Sequence, residues 1–315
     1  AIAERMDWKL DLYQRIAPAL APQAVVASNT SGLSITTLSA ALPEAVRPRF
    51  CGIHFFNPPR YMQLVELIAT PATQPQVLDN LETFVTSTLG KSVVRAKDTP
   101  NFIANRVGIA GILATMKEAA AFGLSVDVVD DLTGKKLGRA SSGTFRTADV
   151  VGLDTLAHVI KTLQDTLGEG TGSQDPFAAC YATPEVLKQL VTAGALGQKT
   201  GAGFYKKIGK DIQRLDPATG QYVPGGGKAE PLIDRILKKP AAERLKLLRE
   251  SSNPQAQFVW SILRDGFHYA AVHLATIADS ARDVDFAMRW GFGMKQGPFE
   301  LWQEEGWTQV AQWIQ

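Results

Sequence analysis

The chain has 315 residues, 45% of them hydrophobic and 20% charged, which suits about two globular domains and excludes collagen-like, coiled-coil-array and wholly disordered chains. Lys+Arg 33 against Asp+Glu 31 leaves a formal charge of +2, so no overall field draws the chain to nucleic acid or an anionic membrane. The two cysteines, Cys51 and Cys180, form neither a CxxC pair nor a disulfide framework, which favours a reducing, cytoplasmic compartment.

Glu4 to Leu20 reads as an amphipathic helix, with Leu10, Tyr13, Ile16, Ala17 and Leu20 at helical spacing and Pro22 beyond it. It carries no basic n-region or apolar h-region, so it is not a signal peptide. Ala24 to Ser28 is a short strand that ends in the turn Asn29-Thr-Ser-Gly32, and Ser34 to Leu42 is a helix before Pro43. Phe50 to Phe56 is the next strand, stopped by Asn57-Pro58-Pro59. Leu64 to Ala69 is a third strand, Gln76 to Leu89 a helix, and Ser92 to Ala96 a last strand. Strands alternating with helices predict an α/β layer over residues 1–97, with a mainly parallel sheet of Rossmann type. Ligands of such sheets sit at the carboxyl ends of the strands. Because the series opens on a helix, a preceding strand is expected to be missing.

No glycine fingerprint follows a strand. Gly201-Ala-Gly203 and Gly291-Phe-Gly293 continue wrongly for GxGxxG, and Gly90-Lys91-Ser92 has Val85 where a phosphate loop needs its first glycine, so it reads as a helix C-cap.

After Asp98 the pattern is helical: Phe102 to Phe122, Asp127 to Leu137, Ala148 to Leu167 and Pro184 to Ala193. The longest apolar run, Val107 to Met116, is too short to span a membrane, and Gly108, Gly111 and Thr115 interrupt it. Lys206 to about Gln255 is a polar connector with a hairpin expected around Asp216 to Gly220 and a charged helix near Glu243 to Glu250; Phe258 to Asp279 resumes as a long apolar helix. Val126 to Asp130, Gly138 and Gly143-Thr-Phe145 align with Arg282 to Asp285, Gly293 and Gly297-Pro-Phe299, which suggests a duplicated helical module. The expected division is 1–97, 98–205, the connector 206–255, and a second helical copy over 256–315.

Two side chains stand out chemically. His54 lies near the end of an apolar strand, and Glu66 lies 12 residues on, inside the apolar run Leu64 to Ala69. A reversal at Pro58 to Met62 would set the strands side by side. A carboxylate bonded to one imidazole nitrogen fixes the tautomer and leaves the other nitrogen to act as base or acid; a carboxylate in an apolar strand is costly unless paired. Ser31 follows a strand and could line the same edge or bond its own turn. Asn105 near a helix start could face the cleft or solvent. His158, His268 and His273 have no partners at ligand spacing, so no metal is expected.

The motifs Ala27-Ser-Asn-Thr-Ser31, Gly52-Ile-His-Phe-Phe-Asn-Pro58, Leu64-Val-Glu66, Lys97-Asp-Thr-Pro100 with Phe102-Ile-Ala-Asn-Arg106, and Gly197-Gln-Lys-Thr-Gly-Ala-Gly-Phe-Tyr205 closely resemble the L-3-hydroxyacyl-CoA dehydrogenases of fatty-acid β-oxidation. The resemblance implies a partial Rossmann-type domain followed by a helical one, and an acyl-CoA substrate oxidised with NAD. It implies His54 as the proton acceptor, Glu66 as its orienting carboxylate, Ser31 and Asn105 on the substrate's oxygens, and Glu4, Lys9, Asn29 and Asn57 near the nicotinamide ribose. It also implies that the glycine-rich part of the NAD domain lies upstream of Ala1, so the chain by itself is expected to be weak or inactive. Two helical copies resemble the multifunctional members, which points to a fused or associated enoyl-CoA hydratase and to a homodimer. The chain departs from the family pattern at Asn101, where the family carries Gly, at Gly32, and at Arg139 to Ser142. Two competing readings are a non-catalytic dimerisation or docking module, and a gulonate dehydrogenase-like enzyme acting on a sugar acid.

Overall fold

The structure is a computed structural model that describes residues 2–315. The chain divides into two compact units, residues up to 106 with 272–291, and residues 107–271 with 292–315.

The first unit opens with α1 (Met6–Ile16). The helix gives way to a 3-10 turn over Ala17–Ala19, short of the expected Leu20, because Pro18 has no N–H to donate and its ring crowds the preceding turn. There follow β1 (Val26–Ser28), α2 (Ile35–Ser39), β2 (Phe50–Phe55), β3 (Leu64–Ile68), α3 (Pro75–Ser87) and β4 (Ser92–Ala96), and the strands lie in the order β1-β2-β3-β4. β1 pairs with β2 and β3 with β4 in parallel, whereas β2 and β3 are antiparallel. The reversal is a tight turn in which the N–H groups of Tyr61 and Met62 both donate to the Pro58 carbonyl, at 2.9 and 3.0 Å.

The two-residue strand period sorts the side chains. Cys51, Val65 and Leu67 pack with Leu78 and Val85 of α3, joined by Ile53 and Phe55. Phe50, His54, Leu64, Glu66 and Ile68 therefore project from the opposite face, and all are buried. Cys51 is fully buried, and that burial pushes its thiol up to about 11, so it is inert as a nucleophile. On α2, the Asp98 carboxylate accepts from the Ser34 hydroxyl and from the Ile35 and Thr36 N–H groups at 2.8–3.0 Å, which ties β4's exit to a helix start. Lys97 next to it donates to the Ala275 carbonyl at 2.9 Å.

The helices begin with α4 (Ala104–Ala121), α5 (Val126–Thr133), α6 (Phe145–Val151), α7 (Leu153–Leu167) and α8 (Glu185–Thr192). The single helix expected over Ala148 to Leu167 is two, because Gly152 between them takes φ 102°, a left-handed conformation no helix interior admits. The connector is more ordered than its composition suggests. It holds β5 (Tyr205–Ile208), β6 (Asp211–Leu215) and β7 (Tyr222–Pro224) as an antiparallel sheet, then α9 (Pro231–Leu237) and α10 (Ala241–Glu250). The acidic face of α5 anchors it: Asp127 accepts from Gly227 N–H and pairs with Arg214, and Asp131 accepts from Ala229 N–H and Lys228.

The chain ends in α11 (Pro254–Ile277), α12 (Ala281–Phe292), α13 (Pro298–Glu304) and α14 (Trp307–Ile314). The order of long helix, short acidic helix and a third helix near a Gly-x-Phe occurs twice, as α4–α6 and α11–α13. Residues 256–315 nonetheless do not form a body of their own, since 272–291 pack within the first unit. The first compact unit runs on to Arg106, and the start of α4 is bonded to Glu66. Among the described residues no helix is long and apolar enough to cross a membrane.

Candidate active site

β2 and β3 set His54 directly opposite Glu66. The two side chains leave the same face of the sheet, and His54 Nδ1 lies 2.7 Å from Glu66 Oε2. His54 is 3% exposed and Glu66 0%, so the pair meets out of water, where a charge-assisted hydrogen bond is strong and an unpaired carboxylate would be very costly.

The backbone provides the rest of the carboxylate's solvation. Glu66 Oε1 accepts from the N–H groups of Ile103 at 3.1 Å and Ala104 at 2.9 Å, at the start of the 18-residue helix α4, whose dipole favours an anion there. Asn101 and Phe102, immediately before, have φ 61° and 52°. A left-handed Asn is tolerated, but a left-handed Phe is strained and persists only where its surroundings hold it. Both are buried, and the Phe102 ring lies 5.6 Å from the His54 ring, with Phe56 at 4.8 Å on a second approach. The strained pair thus turns two N–H groups onto Glu66 while walling the imidazole with aromatic surface.

With both Glu66 oxygens engaged as acceptors, His54 Nδ1 is the donor and Nε2 carries the lone pair. Nε2 has no hydrogen-bond partner among the described residues.

Of the remaining expected site residues, Asn29 and Ser31 follow β1 and Asn57 follows β2. Asn29 follows β1, and its Oδ1 accepts from Phe55 N–H at 3.0 Å, one residue past His54. Glu4 reaches the same turn: its Oε1 accepts from the Thr30 hydroxyl and from Ser31 N–H at 2.8 Å, and its Oε2 lies 3.7 Å from Lys9 Nζ. Lys9 is buried, so this ammonium on a surface helix is turned inward. Asn57 is exposed in the loop after β2, and Asn105 is half-buried in the first turn of α4. The Ser31 hydroxyl and the Asn57 and Asn105 carboxamides form no hydrogen bonds among the described residues, so their donors and acceptors are available to a ligand. A carboxylate beside an ammonium, flanked by amides and a hydroxyl, is a donor set that suits the ribose hydroxyls and carboxamide of a nicotinamide nucleotide. No group of His, Cys, Asp or Glu among the described residues could hold a metal ion.

Sequence reasoning found the pair but not its support. The N–H groups of Ile103 and Ala104 carry no side-chain signature, and the one available signal was Asn101 standing where glycine is usual, which marks a positive φ.

Residues 1–99 match the family described as 3-hydroxyacyl-CoA dehydrogenase, NAD binding domain, and residues 102–207 its C-terminal domain. A Bacillus subtilis protein described as "Probable 3-hydroxyacyl-CoA dehydrogenase" is 38% identical over 312 residues, 99% of this chain and 39% of its own length. One of the same description from Deinococcus radiodurans is 43% identical over 207 residues, 66% of this chain and 58% of its own. The chain thus spans well under two thirds of either curated relative. Among solved structures, the (S)-3-hydroxybutyryl-CoA dehydrogenase PaaH1 of Ralstonia eutropha is 32% identical with TM-score 0.56, over 64% of this chain and 67% of that one. On these matches, the chain belongs to the 3-hydroxyacyl-CoA dehydrogenase family.

Proposed function

We propose that this chain carries the NAD-dependent oxidation of an L-3-hydroxyacyl-CoA to the 3-oxoacyl-CoA of fatty-acid β-oxidation, with His54 as the proton acceptor. The observation that carries the reading is the buried 2.7 Å contact between His54 Nδ1 and a Glu66 carboxylate held by two backbone donors. That contact leaves the imidazole lone pair on Nε2, and the Ser31 and Asn105 polar groups are uncommitted.

When bound, NAD supplies the acceptor for the hydride that leaves C3. His54 Nε2 takes the proton of the 3-hydroxyl as that hydride leaves, so the C3–O bond becomes a carbonyl without a full cation building at carbon. The imidazolium formed is stabilised through Nδ1 by Glu66, whose other oxygen accepts from the Ile103 and Ala104 N–H groups. In the reverse direction the same imidazolium protonates the developing alkoxide. Ser31 and Asn105 would hold the substrate's oxygens and position its 3-hydroxyl for His54. Glu4, Lys9, Asn29 and Asn57 would hold the ribose and carboxamide of the nicotinamide; Glu4 and Asn29 also brace the turn between β1 and α2 and its link to β2.

The test uses the protein that carries this chain, with acetoacetyl-CoA and NADH as reactants. His54→Gln is expected to lower kcat by about 10²–10⁴-fold with acetoacetyl-CoA still bound. Unchanged kcat in that variant would overturn the assignment.

A further inference from the structure

The loop that leaves the His54 strand carries a feature that the proton chemistry does not use. Asn57 to Gln63 projects Arg60 and Tyr61 into solvent, and the Tyr61 ring is 76% exposed, the highest value among the exposed large hydrophobic side chains. That exposure leaves the ring open to a ligand. The segment is nonetheless fixed. Two N–H groups close the turn on the Pro58 carbonyl, and Lys91, from the approach to β4, donates to the carbonyls of Pro59 at 2.5 Å and Met62 at 2.8 Å. An ammonium spent on two loop carbonyls makes the tip pre-organised, which lowers the entropic cost of binding a ligand there.

The chemistry at the tip is specific. The Arg60 guanidinium lies over the Tyr61 ring, 6.0 Å from its centroid, and no carboxylate among the described residues pairs with it. From His54 to Leu64 the sequence contains no Asp or Glu, and Lys91 adds a second positive charge beneath the turn. A flat ring beside an unpaired guanidinium, with no competing acid, is a platform for a purine base carrying phosphate: the ring stacks the base and the guanidinium takes the phosphate oxygens. Tyr61 stands seven residues from His54 along a loop that doubles back, so the tip lies no more than about 25 Å from the imidazole, within the length scale of an extended pantetheine arm.

We propose that Arg60 and Tyr61 form the contact for the adenosine phosphate end of the CoA thioester whose C3 sits at His54. This rests on the acyl-CoA reading of the site. An adenine nucleotide could come from CoA or from NAD; only CoA has the additional ribose 3′-phosphate.

The experiment is equilibrium binding by calorimetry of acetoacetyl-CoA, acetoacetyl-dephospho-CoA, acetoacetyl-pantetheine and NADH, to the protein and to its Arg60→Ala and Tyr61→Ala variants. Both side chains are exposed, and unchanged thermal unfolding confirms that the variants fold. Each variant is expected to weaken acetoacetyl-CoA about tenfold and to leave acetoacetyl-pantetheine and NADH unchanged. Arg60→Ala should lose less with the dephospho form. Equal acetoacetyl-CoA affinity in wild type and both variants overturns the proposal while leaving the His54 chemistry intact. Weakened NADH with unchanged acetoacetyl-CoA also overturns it, and assigns the tip to the cofactor. A wild-type protein that binds none of the three thioesters overturns the acyl-CoA reading itself, and this proposal with it.

Discussion

Replacing Glu66 by Gln separates the two jobs of this carboxylate. Glu66 accepts three hydrogen bonds, from His54 Nδ1 at 2.7 Å, Ile103 N–H at 3.1 Å and Ala104 N–H at 2.9 Å, and it is fully buried. An amide has one accepting oxygen. Turned toward the two backbone donors, it keeps both satisfied and points its N–H groups at His54, which can accept at Nδ1 by moving its proton to Nε2. The fold then loses only the charge assistance of three bonds, about 1 kcal/mol each and so about 3 kcal/mol in all, inside the 5–15 kcal/mol of a typical domain. Catalysis loses its base, because Nε2 now carries the proton, and turnover should fall about 10²–10⁴-fold. Urea unfolding gives the first number, NAD reduction with an L-3-hydroxyacyl-CoA the second, and nitrogen-15 NMR of the imidazole reports the tautomer. Unaltered turnover in Glu66→Gln, or an imidazole whose Nε2 stays proton-free in the variant, refutes the reasoning.

Three further outcomes follow from other parts of the structure. Burial pushes the Asp130 carboxyl up to about 6, outweighing the donors from Tyr205, Phe145 and Arg146. The folded value lies above the unfolded one near 4, so Asp130 contributes most below about pH 4, and about 3 kcal/mol of stability is lost as pH rises through 6; in Asp130→Asn this fall should vanish from urea titrations across that window. Gly203→Ala would set a Cβ 2.1 Å from Asp149 Oδ1, whose carboxylate receives the Phe204 and Tyr205 N–H groups, so it should cost about 2–4 kcal/mol in chemical unfolding. Asn101→Val places a β-branched residue at φ 61°, and should lower stability by about 1–2 kcal/mol and reduce turnover by moving the donors to Glu66.

The His54–Glu66 pair was legible because its signals were local. A charged residue inside Leu64 to Ile68 demands a partner, and a proline-bounded reversal between two strands offers His54 as that partner. The strand positions of the first unit were also readable, since each strand is a short apolar run with turn residues on both sides. The break at Gly152 was not, because a lone glycine in an apolar helical pattern gives no sign of its φ. Nor was the sheet of the connector, whose strands bury little and are held by hydrogen bonds to acids on α5 some hundred residues earlier. The strain at Asn101 and Phe102 is likewise a backbone property, imposed by packing around a carboxylate far away in sequence. The second helical copy was visible as a repeat, yet its integration with the first unit depends on contacts that no periodicity encodes.

The most direct measurement is a crystal structure of the protein with acetoacetyl-CoA bound. Our account places the 3-oxo oxygen within about 2.6–3.2 Å of His54 Nε2, with Nδ1 still on Glu66. A ligand whose 3-oxo oxygen lies against another residue, or an imidazole turned away from Glu66, would contradict it.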